Sequence, residues 1–151
     1  MLTPKEKKLI AGLRNNARQK IKTIAQKNNL PVSSMFELLN KLEKNNIIQH
    51  SCRVNFDSIG YPVRMYITLK TELQNREPLQ LYLEQHKQVN SLHIINSGYD
   101  FLVEAVFKNQ KQAQDFMDLL EVNNAIVKKN VYNVIETIHQ ERFLTEEEHF
   151  D

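Results

Sequence analysis

Side chains that can bind phosphate are concentrated near the start of this 151-residue chain. Residues 1–60 carry eleven Lys and Arg against four Asp and Glu, a net charge of +7. Residues 61–151 carry the remaining nine basic and fourteen acidic side chains, a net charge of −5. A basic half followed by an acidic half predicts two modules, the first of which binds a polyanion.

Three short helices are predicted to position these basic side chains. The first begins at a capping box formed by Thr3 and Glu6 and ends at Asn15–Asn16. The second is predicted over Ile21–Lys27 and the third over Val32–Lys44, with a tight break between them. Two amphipathic helices joined by such a turn are typical of a helix-turn-helix, although their periodicity fits a three-helix bundle without a ligand equally well. The charge of the module favours DNA.

The third helix is the element that we expect to enter the major groove of DNA. Its N-terminal hydroxyls suit phosphate, Asn40 could pair with adenine, and Glu37 could accept a hydrogen bond from cytosine. In the alternative, these side chains are merely solvated and Phe36, the candidate for a thymine methyl contact, packs under the first helix. The candidate DNA-binding residues are Arg18, Lys20 and Lys22 for the phosphates, and Ser33, Ser34, Phe36, Glu37, Asn40 and Lys41 on the third helix.

The second module is predicted to alternate strands and helices. A linker strand over residues 47–56 precedes it, and the boundary is placed near Gly60. The predicted order is β-α-β-β-α-β, with strands over 63–70, 91–96, 100–107 and 125–138 and helices over 78–86 and 110–121.

The predicted fold class is therefore α+β. A helix-turn-helix (winged-helix-like) domain over residues 1–60 is joined to a ferredoxin-like domain over residues 61–151, which ends in an acidic tail. We expect residues 145–151 of this tail to be a solvated end, with docking of Phe150 on a neighbour as the alternative. One face of the sheet has no helices to cover it, so we expect a second copy of the chain there, in a homodimer or in a tetramer or octamer.

Composition disfavours several other classes of protein. The three glycines are too scattered for a dinucleotide-binding or P-loop motif, and the single cysteine, Cys52, excludes an intrachain disulfide. The five histidines lack metal-ligand spacing and no nucleophile–base pair stands out. We therefore expect no metal site and no cofactor, and we expect that the protein is not an enzyme. No apolar run is long enough to span a membrane and no signal peptide is recognisable, which predicts a cytoplasmic protein with no membrane partner.

Five short motifs extend over nearly the whole chain, from about Leu2 to Ile138. They are Asn16-Ala17-Arg18, Thr23-Ile24-Ala25, Leu42-Glu43-Lys44-Asn45-Asn46-Ile47-Ile48, Ile59-Gly60 and Ser97-Gly98-Tyr99-Asp100-Phe101. In this order they resemble the motifs of the Lrp/AsnC family of transcription regulators. Pro31 stands where that family usually has a helix-capping serine, a role that Ser33 or Ser34 could take, and Asn46 stands where a glycine is common. The resemblance implies a sequence-specific DNA-binding regulator.

The turn from Ser97 to Asp100 has two interpretations. As structure, Gly98 supplies a positive φ and the Asp100 side chain caps the hairpin by bonding its own backbone. The family resemblance implies a further role, in which Ser97, Gly98, Tyr99 and Asp100 line a small-molecule pocket between the sheet domains of adjacent dimers. The effector would be a small molecule such as an amino acid, with Asp100 binding its ammonium group.

Two alternatives to a DNA-binding regulator are kept. Some proteins that resemble this family on both modules are tetrapyrrole-binding decarboxylases of the haem pathway, and here only residues such as His93 and Arg64 could bind the tetrapyrrole. The third helix also lacks the arginines usual in the family and carries Glu37. This gives some weight to an oligomerising scaffold that has lost DNA binding.

Overall fold

The computed structural model describes residues 2–150, and for Glu147 only the backbone is described. The chain divides into two compact units. The first combines the residues up to Arg53 with those from Ile138 onward, and the second is Val54–Thr137. No helix among the described residues is long and apolar enough to cross a membrane.

The first unit contains three α-helices, α1 (Pro4–Asn15), α2 (Ile21–Lys27) and α3 (Val32–Lys44). The predicted bounds of all three helices are confirmed. The capping box is present, because the Glu6 amide donates to Thr3 Oγ1 at 3.3 Å and the Thr3 amide donates to Glu6 Oε2 at 2.7 Å. The helices share a core whose buried members are Leu9, Ile10, Leu13, Ile21, Ile24, Ala25, Met35 and Leu42.

Asparagines in left-handed backbone end two of these helices. Asn29 after α2 has φ +54°, and Asn46 after α3 has φ +55°. Beyond α3, the Ile47 amide donates to the Leu42 carbonyl at 2.9 Å and satisfies one of the last carbonyls of the helix. Asparagine tolerates this conformation better than other residues with a Cβ, so Asn46 keeps the cap at the position where the Lrp/AsnC family, which the sequence resembles, commonly has glycine.

The predicted linker strand is wrong. Residues 47–56 form no strand, and Ile47 and Val54 in this segment are about half exposed. A β-strand requires a neighbouring strand to pair its backbone groups, and none of the described strands pairs with this segment. The division into compact units falls between Arg53 and Val54, and the domain boundary near Gly60 stays a prediction.

The second unit is a four-stranded antiparallel sheet covered on one face by two helices. Its elements are β1 (Val63–Thr71), α4 (Arg76–Gln85), β2 (Val89–Ile94), β3 (Phe101–Phe107), α5 (Gln110–Asn123) and β4 (Ile126–Asn133). The strand order is β2-β3-β1-β4, so β1 and β3 lie at the centre. The predicted β-α-β-β-α-β order is confirmed, and the arrangement is ferredoxin-like.

The core of the second unit lies between the sheet and its helices. Alternate residues of β1, namely Met65, Ile67 and Leu69, are buried against α4 and α5. β4 ends at Asn133, whereas the sequence predicted a strand to residue 138. The cause is the length of β1, because Asn133 pairs with Met65 and β1 begins only two residues earlier.

The end of the chain is not the solvated tail that the sequence predicted. Residues from Ile138 onward belong to the first unit, and a 3₁₀ turn spans Glu147–Phe150. Leu144 and Phe150 pack against the core of that unit. The sequence offered docking of Phe150 only on a neighbour, because two apolar residues in an acidic segment have no periodicity that would assign them to a core of the same chain.

Candidate nucleic-acid interface

The outward face of α3 carries the side chains that the sequence assigned to DNA. Ser33, Glu37 and Asn40 are exposed, and their side chains make no hydrogen bond to any described residue. Phe36 is 49% exposed, so it does not pack under α1 as the alternative required. The face combines hydrogen-bonding groups with one apolar ring, which is the chemistry that base edges and thymine methyl groups require.

The start of α3 has no side-chain cap. The N-cap residue is Pro31, and neither Ser33 nor Ser34 takes over the capping role that the sequence suggested for them. Both serines lie within the first turn, where a hydroxyl is past the position from which it could reach the free amides. The first amides of α3 therefore have no side-chain acceptor among the described residues, which suits an external phosphate oxygen.

Lys41 is the candidate that the structure ties to another helix. Its Nζ lies 3.1 Å from Glu6 Oε1, although the Lys41 side chain is 62% exposed. The Glu6 carboxylate is buried and also accepts from the Thr3 amide and hydroxyl. The backbone hydrogen bond from Thr3, followed by that from Lys41, lowers the pKa of Glu6 to about 2. Lys41 thus fastens α3 to α1.

Three cations lie on the loop between α1 and α2 and at the start of α2. Arg18, Lys20 and Lys22 are exposed, and none of them forms an ion pair with a described residue. The backbone beside these side chains is held, because the Arg18 amide donates to Asn16 Oδ1 at 3.0 Å and the Lys20 carbonyl accepts from the Thr23 amide at 2.8 Å. Unpaired basic side chains can release counterions on binding a phosphate backbone, which is the main electrostatic source of DNA affinity.

The turn between β2 and β3 in the second unit has the predicted left-handed backbone, with φ +64° at Ser97 and +90° at Gly98. The Asp100 carbonyl closes the hairpin by accepting from the Ile95 amide at 3.0 Å, but the Asp100 side chain does not bond the backbone of its own hairpin. Asp100 Oδ2 instead accepts from the Thr71 amide of β1 at 2.9 Å. The prediction failed because the sheet register places β1, which is distant in sequence, beside the turn.

Asp100 is also an acceptor for two cations. Lys70 Nζ lies 3.1 Å and Arg76 Nη2 lies 2.5 Å from Asp100 Oδ1. Burial of Asp100 favours the neutral acid, but the Thr71 amide, Lys70 and Arg76 outweigh it and lower the pKa of the carboxyl. The Asp100 carboxylate thus already accepts from three donors within the chain, and its binding of the ammonium group of an effector stays a prediction.

A cavity of about 370 Å³ adjoins this turn. Its charged lining residues are Lys70, Arg76, Glu77 and Asp100, two of each sign. Tyr99, another lining residue, accepts a hydrogen bond from Asn130 Nδ2 at 2.6 Å, and Lys128 Nζ lies 4.8 Å from its ring centre. Charge balance within a cavity of this size suits a small zwitterion.

One buried polar residue was missed at the sequence level. Glu104 on β3 is 4% exposed and accepts hydrogen bonds from Asn90 Nδ2 at 2.7 Å, Ser91 Oγ at 2.9 Å and Tyr66 Oη at 3.3 Å. Burial and the neighbouring Glu104 carboxylate raise the pKa of Tyr66. The signal was a single Glu within the apolar run of β3, a pattern that marks a buried and partnered carboxylate.

The residues considered for a tetrapyrrole are not brought together. His93 on β2 lies opposite Leu102 of β3, and Leu102 in turn lies opposite Thr68 of β1. Arg64 lies four residues before Thr68 on β1. Arg64 already binds Thr137 Oγ1, and its Nε lies 3.9 Å from Glu104 Oε1. Among residues 2–150, no group of three or more His, Cys, Asp or Glu could hold a metal ion.

Comparison with known proteins gives whole-chain similarities at low identity. No family model matches the chain. An uncharacterized HTH-type transcriptional regulator of Pyrococcus abyssi is 25% identical over 142 residues, which is 93% of this chain and 97% of that protein. A transcriptional regulator from Neisseria meningitidis, solved as a complex with L-Met, has a TM-score of 0.85 at 19% identity, over 93% of this chain and 94% of that one. Escherichia coli AsnC has a TM-score of 0.82 at 14% identity, and the match covers 93% of this chain and 96% of that one.

The similarity covers both units of the chain. The fold class predicted from the sequence, a helix-turn-helix domain joined to a ferredoxin-like domain, is confirmed. The candidate DNA contacts, the effector cavity and the assembly of the chain stay predictions.

Proposed function

We propose, from the Lrp/AsnC fold of this chain and its helix-turn-helix relatives, that the protein is a sequence-specific DNA-binding transcription regulator that acts in the cytoplasm. One observation carries the proposal within the chain itself. The polar face of α3 and the cations at Arg18, Lys20 and Lys22 lie in the same small unit, exposed and without partners among the described residues. This combination provides a reading helix with phosphate anchors beside it.

In the proposed complex, α3 enters the major groove and α2 lies across the phosphate backbone. Arg18, Lys20 and Lys22 contact phosphates and supply most of the affinity, which makes binding strongly dependent on salt. Asn40 is the candidate for adenine, and Phe36 for a thymine methyl group. Because Lys41 is bonded to Glu6, its main role is to fix the orientation of α3, with a phosphate contact as a secondary role.

We further propose that the second unit holds two reading units at a fixed spacing in a homodimer. The support is Tyr132, which is 55% exposed on the face of the sheet away from the helices, and Ile135 just beyond β4, which is 98% exposed. Apolar surface of this kind is usually covered by another copy of the chain. Light scattering on the purified protein gives the mass, and a monomer at micromolar concentration would contradict this part of the proposal.

The cavity beside the β2–β3 turn is the proposed effector site, and an amino acid is the proposed class of ligand. The Neisseria meningitidis regulator was solved with L-Met, and here the balanced charges of the cavity suit an amino acid zwitterion. Ser97, Gly98 and Tyr99 would contact the ligand directly. Asp100 would act by holding Lys70 and Arg76 in place, where Arg76 can bind the ligand carboxylate.

The test of DNA binding is selection from a pool of genomic fragments at two salt concentrations. Retention of a few fragments, weakening sharply as salt rises, is the expected result. The retained site is then titrated with Lys22→Ala and Asn40→Ala. Loss of Lys22 should weaken all sequences about equally and lower the salt slope by about one, whereas loss of Asn40 should cost roughly 5- to 150-fold at one base position.

The matched control is Lys111→Ala on α5, which removes the same charge from an exposed ion pair with Asp115 in the second unit. It should leave the affinity and the salt slope unchanged. Equal weak retention of every fragment would replace a sequence-specific regulator with an architectural DNA-binding protein. No retention even at low salt would refute DNA binding and favour the scaffold.

A further inference from the structure

The C-terminal tail, residues 138–150, is docked on α1 through side chains of α1 and of the tail. Arg14 Nη1 lies 2.6 Å from Glu141 Oε2, and Arg14 Nε donates to the Phe143 carbonyl at 3.0 Å. Asn15 Nδ2 donates to the Thr145 carbonyl at 2.5 Å. The tail therefore follows the outer side of the last turn of α1, with both its backbone and a carboxylate fixed.

Apolar contacts and a cation hold the rest of the tail. Leu144 and Phe150 pack against the core of the first unit. Lys7 Nζ donates to the Phe150 carbonyl at 3.4 Å and lies 5.8 Å from the centre of the Phe150 ring. Ala11, on the same side of α1, is only 6% exposed. Upstream, Arg53 donates to the Gln140 carbonyl at 2.7 Å. These contacts make the tail a fourth element of the unit.

Docking places two carboxylates of the tail in a basic cleft. Glu146 and Glu148 line an open cavity of about 700 Å³ together with Lys8 and Lys27. The wall of this cavity continues to Gln19, between the proposed phosphate contacts Arg18 and Lys20. The negative charges therefore lie on the side of the unit that carries the α1–α2 loop.

The tail also changes the charge of the unit substantially. Residues 1–53 carry eleven Lys and Arg against three Glu, a net charge of +8. Residues 138–151 carry five acids and one Arg, a net charge of −4. With the tail docked, the net charge of the unit falls to +4, so half of the attraction for a polyanion is offset within the chain.

We propose that the docked tail is an autoinhibitory strap, which lowers the affinity of the first unit for DNA phosphates by placing Glu146 and Glu148 beside the α1–α2 loop. This inference rests on the proposed DNA-binding function. The apolar anchors keep the carboxylates local instead of leaving them on a freely moving end. Removing the two charges while keeping the anchors should therefore raise DNA affinity.

The experiment compares the full-length protein with the double variant Glu146→Gln/Glu148→Gln. The probe is a fluorescent duplex of random sequence, about 30 base pairs long, titrated at about 50 mM and about 300 mM salt. The double variant should bind roughly three- to ten-fold more tightly at the lower salt, and the gain should fall below about twofold at the higher salt because screening weakens it.

The matched control is Asp115→Asn/Asp118→Asn on α5. It makes the same change in net charge on exposed side chains of the second unit, and it should leave the affinity within about twofold of the original protein. Thermal unfolding of the variants should match that of the original protein, which shows that a gain in binding does not come from unfolding.

Each outcome decides the inference. A gain confined to the tail variant supports the strap. A tail variant that binds like the original protein, or a control that gains equally, overturns the strap while leaving DNA binding intact. If the original protein and every variant fail to bind the duplex even at the lower salt, the result refutes both the proposed DNA-binding function and the autoinhibitory role of the tail.

Discussion

Replacement of Asp100 by Asn tests whether its charge organises the second unit. Asn keeps the shape of Asp and can still accept from the Thr71 amide, so the packing and one hydrogen bond are preserved. The variant loses the charge that binds Lys70 and Arg76. A hydrogen bond to a charged group contributes about 1.5–3 kcal/mol when it is buried. The Lys70 and Arg76 side chains are 32% and 46% exposed, so solvent screening reduces each contribution to about 1 kcal/mol.

The expected loss is therefore about 2 kcal/mol in the free energy of unfolding of the second unit, or a fall of roughly 10 °C in its Tm. Hydrogen exchange on the β1 and β3 segments measures this loss without interference from the first unit. The chain has no Trp, so tryptophan fluorescence cannot serve as the probe. A variant within about 0.5 kcal/mol of the original protein would refute the argument that Lys70 and Arg76 depend on Asp100.

The stability difference between the original protein and Asp100→Asn should also depend on pH in a definite direction. The pKa of Asp100 is lowered in the folded protein, so its stabilisation is fully present above the pKa of the unfolded carboxyl. It disappears as the pH falls through the lowered value. The difference between the original protein and Asp100→Asn should thus be largest near neutral pH and vanish in acid. A difference that persists unchanged in acid would show that something other than the charge causes it.

Three further predictions concern the units that carry the two candidate sites. Glu6→Gln should destabilise the first unit at neutral pH. It should also abolish the part of the acid unfolding of this unit, followed by circular dichroism, that lies between the ordinary pKa of 4.5 and the folded pKa of about 2. An unchanged acid transition would contradict the low pKa of Glu6. Asn46→Gly should leave stability unchanged or raise it slightly, whereas Asn46→Ala should cost about 1 kcal/mol in urea unfolding, because alanine is strained at φ +55°; equal stabilities would show that this conformation is not maintained. Leu83→Ala should cost about 2–5 kcal/mol and Leu81→Ala on the same helix under about 1 kcal/mol, since the first is fully buried and the second is 58% exposed; similar losses would contradict the placement of α4.

The local features of the fold were readable from the sequence. The three helices of the first unit have the predicted bounds, because the Thr3–Glu6 box, Pro31 and the asparagines act on neighbouring backbone groups. The β-α-β-β-α-β order and the left-handed Gly98 follow in the same way from periodicity and turn chemistry. Both the helix-turn-helix and the ferredoxin-like sheet were predicted on these grounds, with support from the family motifs.

Only the tertiary structure decided how distant segments meet. Asp100 was expected to cap its own hairpin but binds Thr71, Lys70 and Arg76, which come from earlier in the chain. Residues 47–56 have strand-like composition but form no strand, and the acidic tail docks on α1. Each outcome depends on which partner comes within hydrogen-bonding or packing distance, and one-dimensional spacing does not contain that information. Caps and periodicity act within a few residues, whereas strand pairing, buried charges and docked segments are fixed by the whole packed unit.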